Sequence, residues 1–155
     1  MYPKISEFRD EVISQVYSQG FSHLGLGFKI YTDDPDRDSR TIFNANSQFW
    51  STLTAISINE MHHRIDESLA NPDDIQITST IYDSIYGIVK DDANLIKWLN
   101  DNIVEVMTKD FMQGQIVHNE ANLEVGVSWA DMTELDNNAS LEEIQEILDD
   151  YRKKA

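Results

Sequence analysis

The sequence predicts an α+β fold, in which a small antiparallel sheet built from hairpins packs against long helices and one further helix closes the chain. Three observations predict it. Apolar residues recur at helical spacing in three long stretches. Two other stretches alternate strand-forming residues around tight turns. The order is helix, hairpin, long helix, hairpin, helix, strand, which is not the strict βαβ alternation of a doubly wound sheet.

Residues 4–19 place Ile5, Phe8, Val12, Val16 and Tyr17 on one helical face, and Gly20 is a natural stop. Phe21 to Tyr31 reads as a hairpin with Gly25 and Gly27 at its turn. An acidic loop over 32–39 follows, then one long helix over 40–70 that Asn71-Pro72 ends. Residues 75–89 read as two strands meeting at a tight turn, with Asp83 at the tip. Helix returns over 91–111, with Leu95, Trp98, Leu99, Ile103, Val106 and Met107 on one face. Leu123 to Val127 is a short strand, and residues 136–138 are a linker. Ser140 and Glu143 form a capping box that opens a tail helix reaching about Lys153. There is no internal repeat.

The chain of 155 residues suits one domain and is long enough for a real core. Its apolar share of 41% and its aromatic residues argue against disorder throughout. No apolar run approaches the ~18 to 20 residues that cross a bilayer, so no membrane partner is expected. The N-terminal residues open directly into an amphipathic pattern, so no signal peptide is expected. The absence of cysteine excludes disulfides, thiolate zinc sites and cysteine nucleophiles, and it fits a cytoplasmic location. The net charge of −16 argues by itself against nucleic-acid binding, which needs Lys and Arg for phosphate contacts. The acids are unevenly spread: eight lie after residue 130 and four crowd 33–38.

Two groups of residues carry possible chemistry. A carboxylate at a hairpin tip, such as Asp83, is held rigidly toward solvent and suits a hard divalent cation; it is equally an ordinary turn aspartate. Arg40, Asn44 and Gln48 lie four apart on a predicted helix and project from one face. Such a row can follow the DNA minor groove, where every base pair offers N3 or O2 acceptors; it can also be a solvated helix face. Glu60 and His63 give one Glu-x-x-His, but a di-iron bundle needs a second copy, and none is present. Trp50, Trp98, Trp129, Phe43 and Phe49 are expected as core aromatics, with base stacking by one of them as the alternative. Arg152, Lys153 and Lys154 offset a helix dipole. No Walker motif, G-x-S-x-G, HExxH or GxGxxG is present.

These signals follow one another in an order that resembles the C-terminal segment of family A DNA polymerases, the bacterial polymerase I and phage replicase type. Tyr2 to Phe8 looks like the family's YPGVxxY-type helix in the late fingers, and Gly20-Phe21 with the hairpin to Tyr31 resembles the segment after it. Arg40-Thr-Ile-Phe-Asn44-Ala45-Asn46-Ser47-Gln48 looks like R-x-x-x-N-A-P-x-Q-G, with Asn46 in place of proline and Phe49 in place of glycine. Ile81 to Ile85 sits where the family has motif C, V-H-D-E-[LIV]; Tyr82 replaces the histidine and Ser84 the glutamate. Leu123 to Trp129 looks like the terminal VEVGxxxxW strand. The resemblance covers roughly residues 2–132.

The resemblance implies late fingers over 1–39, a palm segment with motif C over 40–132, and an acidic linker with a tail helix over 133–155. It implies that Asp83 is the catalytic, metal-binding aspartate and that Arg40, Asn44, Gln48 and Tyr82 face primer–template DNA. Two Mg²⁺ ions would clamp the attacking 3′-oxygen and the departing pyrophosphate. The loss of the supporting glutamate at Ser84 puts their tuning in doubt. The chain lacks the family's motif A aspartate and its nucleotide-binding motif B helix. It is therefore expected to be the C-terminal subunit of a split DNA polymerase, inactive alone. Its partners would be an N-terminal polymerase chain that shares the ions, primer–template and dNTP. Met1 falls at a natural seam just before Tyr2-Pro3, which points to a naturally split gene, as in phages, and to the host cytoplasm. A catalytically inactive acidic interaction protein, or a DNA mimic, is the alternative.

Overall fold

The computed structural model describes residues 3–49, 51–110 and 118–154. Among them the fold is α+β, with five α-helices and three separate antiparallel hairpins. The chain divides into two compact units, Met1–Thr52 and Leu53–Ala155.

In the first unit, helix α1 (Pro3–Gln19) ends where Gly20 adopts a left-handed φ of +77° and returns its N–H to the Val16 carbonyl at 2.8 Å. Strands β1 (Phe21–Gly25) and β2 (Phe28–Tyr31) pair with Ser22 opposite Ile30 and His23 opposite Lys29. Their turn, Leu26-Gly27, has positive φ at both residues, as two-residue hairpin loops require. Helix α2 (Pro35–Gln48) follows. Val12, Val16 and Ile42 form the core, with Ile30 packed against them. Phe8 and Tyr17, expected on the apolar stripe of α1, are exposed instead; Phe8 meets Phe43 edge-on.

The expected acidic loop over 32–39 and single helix over 40–70 are both corrected. The Asp34 carboxylate accepts the Arg37 amide proton at 3.1 Å, and Pro35 occupies the first turn, where a missing N–H costs nothing. Asp36 and Asp38 then sit in the first turn, where negative charge suits the helix dipole. The acids thus start a helix. At the far end, helix α3 (Ser51–Ser68) begins anew. The Ser51 hydroxyl donates to the Gln48 carbonyl at 2.7 Å, a local bond that competes with a continuous helical ladder.

In the second unit a short 3₁₀ turn, Pro72–Asp74, leads into β3 (Ile75–Ile81) and β4 (Ser84–Val89). Helix α4 (Ala93–Thr108) is capped by Asp92, whose carboxylate accepts from the Asn94 and Leu95 amides. Strand β5 (Glu124–Ser128) pairs with an unforeseen strand, β6 (Asp131–Glu134), and helix α5 (Leu141–Lys154) ends the unit. The capping box is present: the Ser140 amide donates to Glu143 at 2.7 Å and the Glu143 amide to the Ser140 hydroxyl at 3.2 Å.

Helix α4 serves two clusters. Its first half joins Val125, Leu135, Ile144 and Leu148 through Ala93 and Ile96. Its second half joins Met61 through Ile103 and Val106, with Ile77 and Ile85 of the β3–β4 hairpin packed on top. The tail helix therefore contributes to the core. Residues 136–138, expected as a linker, are fixed: the Asn100 amide donates to the Asp136 carbonyl at 2.9 Å and Asn137 to the Ala121 carbonyl at 3.0 Å. Arg152 clasps Asp91 with bonds of 2.7 and 2.8 Å, tying the end of α5 to the start of α4.

The single small sheet is corrected to three two-stranded ones. Each hairpin carries a register shift, at His23/Gly25, Ile77/Ser79 and Gly126/Ser128. Such bulges bend the strand and raise its twist, which turns the edges away from further pairing. No helix among the described residues is long and apolar enough to cross a membrane.

Candidate functional site

The β3–β4 hairpin is anchored at its base and free at its tip. Ile75 pairs with Val89 and Ile77 with Gly87, so Ile75, Ile77, Ile85 and Val89 face the helices while Gln76, Tyr86 and Ile88 face outward. Thr78 is the bulged residue, and its hydroxyl donates to the Tyr86 carbonyl at 3.2 Å. Beyond it, residues 78–84 are all exposed. Ile81 pairs with Ser84, which leaves Tyr82 and Asp83 as the two turn residues.

Tyr82 has a φ of +56° and is 90% exposed. The first position of such a turn favours glycine, and an L-residue in the left-handed region costs about 1–2 kcal/mol. An aromatic residue held there, with nothing packed on its ring, marks the tip as strained; strain of this kind clusters at functional sites. Asp83 is exposed and makes no hydrogen bond or ion pair among the described residues. Its carboxylate and the neighbouring Ser84 hydroxyl are hard oxygen donors of the kind Mg²⁺ takes. Among the described residues no three His, Asp or Glu side chains gather into a metal-holding group.

Arg40, Asn44 and Gln48 lie on the exposed side of α2, opposite the buried Ile42, and their side chains have no partner among the described residues. The row belongs to the first unit and Asp83 to the second. That division changes the meaning of the net charge. The first unit has seven acidic and five basic residues, a net of −2; the second has twenty-one and seven, a net of −14. Four of the seven acids of the first unit, Asp10, Asp34, Asp36 and Asp38, accept hydrogen bonds. Arg37 and the Thr32 hydroxyl both bond Asp38 and hold its carboxyl down at about 2, and the Tyr17 hydroxyl bonds Asp36.

Several expectations meet a different placement. Trp129, expected in the core, is 72% exposed and stacks on Tyr86 with ring centroids 4.9 Å apart. It lies between β5 and β6, in a turn that carries its side chain outward. Phe49 is buried, Phe43 and Trp98 are half-buried, and Trp50 lies outside the described residues. His62 and His63 are exposed on α3. Sequence reasoning missed Arg64, whose guanidinium bonds Glu105 twice, at 2.9 and 3.1 Å, and also Asn102 and Glu60. These contacts depress the Glu105 carboxyl below its usual range, first through the Arg64 hydrogen bond, and fasten α3 to α4 beneath the hairpin. The i,i+4 pair Glu60–Arg64 was the only local signal of it.

No protein-family description, curated protein or solved structure matches this chain.

Proposed function

We propose that this chain is the C-terminal subunit of a split DNA-directed DNA polymerase, with Asp83 as its contribution to nucleotidyl transfer. The observation that carries the reading is Asp83 itself: a carboxylate with no partner among the described residues, at the exposed, strained tip of a hairpin whose base is fixed on α3 and α4. The likeness of five short segments, in order, to family A polymerases supports it. So does the placement of Arg40, Asn44 and Gln48 on an exposed helix face in the nearly neutral unit.

In this reading Asp83 holds one ligand position for divalent metal, and a companion chain supplies the second aspartate and the nucleotide-binding helix. Mg²⁺, when bound, stabilises charge on the attacking and leaving oxygens. One carboxylate beside a hydroxyl is too small a donor set for two ions, so the subunit is silent alone. Tyr82 fixes the tip that aims the carboxylate, and the α2 row holds the primer–template duplex through minor-groove acceptors. The outer face of β3–β4, where Ile88 and Tyr82 are exposed, suits contact with the companion chain.

The test is reconstitution. Mixed with a chain carrying motifs A and B, the protein should extend a primer in Mg²⁺. Asp83→Ala should lower extension by at least about a thousandfold, on the scale of removing a group the reaction requires, while the two chains still co-elute. Equal extension by wild type and variant would sink the proposal. The net of −14 on the second unit favours a second reading, an acidic interaction protein or DNA mimic. That protein would compete with DNA for a basic partner and support no extension.

A further inference from the structure

We infer that the outward face of the β1–β2 hairpin is a stacking platform for single-stranded DNA. Phe21 pairs with Tyr31 and His23 with Lys29, so these four side chains share one face of the ribbon. The contacts agree: the Phe21 ring lies 5.5 Å from Tyr31 and 5.1 Å from His23, and the Lys29 ammonium sits 4.2 Å above it. Tyr31 is 69% exposed, so most of one ring face is open to a ligand. The opposite side of the ribbon is secured, with Ser22 fully buried and Ile30 against the core. The rings are therefore mounted on a stiff support.

Charge selects the occupant. Neither strand contains an acid, in a chain that has 28 of them. An open aromatic face beside an ammonium offers what a nucleotide presents, a π-surface next to a phosphate. In a duplex the base faces are stacked on one another and closed to a side chain, so the fitting ligand is unpaired. The binding stands on this geometry alone. Naming the strand as the template ahead of the primer rests on the polymerase reading.

The experiment is fluorescence anisotropy of the full chain with a labelled oligothymidylate of about 15 nucleotides, a length that spans one stacking site. It is run across a salt series without Mg²⁺, so it does not depend on Asp83. Tyr31→Ala should weaken binding on the order of tenfold, the loss of one stacked base, and Tyr31→Phe, which keeps the ring, should bind as wild type does. Lys29→Gln should weaken binding and flatten the salt dependence by about 0.7 in log–log slope. Trp129→Ala, which removes an equally exposed ring from the acidic unit, should change nothing. The inference fails if the wild type does not bind, if Tyr31→Ala binds as tightly, or if Trp129→Ala weakens binding as much. It also fails if Tyr31→Ala loosens a complex with the companion chain while leaving oligonucleotide binding intact, which would make this face a protein interface. Extension without oligonucleotide binding would remove this inference and leave the polymerase reading standing.

Discussion

Charge and packing divide the molecule along the same line. The first unit is nearly neutral and has one small buried cluster, Val12, Val16 and Ile42, with Phe49 buried besides. The second carries a net of −14 and two buried clusters that share α4. Their hairpin turns differ as well. The first turns through Gly25, Leu26 and Gly27, whereas the second forces Tyr82 into the left-handed region with no glycine beside it. The difference teaches that a whole-chain charge is a poor guide to what one surface meets. Most of the acids lie in the unit that holds Asp83, and the row Arg40, Asn44 and Gln48 lies in the unit where acids are few.

The largest expected effect breaks or upholds the division itself. Met61 is fully buried, and Met61→Ala should destabilise the second unit by about 2–5 kcal/mol. Val16→Ala should cost the first unit about 2 kcal/mol. Native-state hydrogen exchange reads each unit separately, at Val16 and at Ile103. Each substitution should speed exchange mainly in its own unit; equal changes at both amides would show that the two cores fail as one.

A smaller effect sharpens the contrast between the turns. Tyr82→Gly should relieve the left-handed backbone and stabilise the second unit by up to about 1 kcal/mol, partly offset by the added freedom of glycine in the unfolded chain. It should also reduce primer extension by the reconstituted pair, because the tip then aims Asp83 less firmly. A variant that gains both stability and extension would remove any purpose for the strain.

The smallest effect concerns acid. Asp38 lies near 2 in the folded unit, held first by Arg37 and then by Thr32, against an ordinary value of 3.8. A depressed carboxyl stabilises the fold above its unfolded value and loses that contribution as pH falls through the folded one. The first unit should therefore lose stability between about pH 4 and about pH 2, and Asp38→Asn should flatten this part of the profile. Hydrogen exchange at Val16 across that range is the measurement, and an unchanged slope in the variant would rule out Asp38 as the source.

The sequence made the hairpin tip legible because strand-forming residues alternate on both sides of Tyr82-Asp83. It made the α5 start legible because Ser140 and Glu143 stand at the capping spacing. The row on α2 followed from four-residue spacing alone. What escaped had specific causes. Four acids in 33–38 looked like a loop, yet one caps α2 and two suit its dipole. No proline or glycine announces the interruption before Ser51. Strand β6, Asp131-Met-Thr-Glu134, has no alternating apolar face; beyond its ladder to β5, the Thr133 hydroxyl lies 2.9 Å from that of Tyr151. Hydrophobicity alone places Trp129 in the interior and cannot foresee that a turn carries it outward.

The stacked Tyr86–Trp129 pair gives the protein a built-in optical reporter. Tyr86 is three residues from Asp83, and the indole against it is largely in water. Any chain that settles over the outer side of this hairpin strips that water away and moves the indole emission toward the blue. A chain docking at the carboxylate tip can thus be followed in real time without a dye, and Trp129→Phe, which leaves the emission of Trp50 and Trp98, shows how much of the shift comes from this indole.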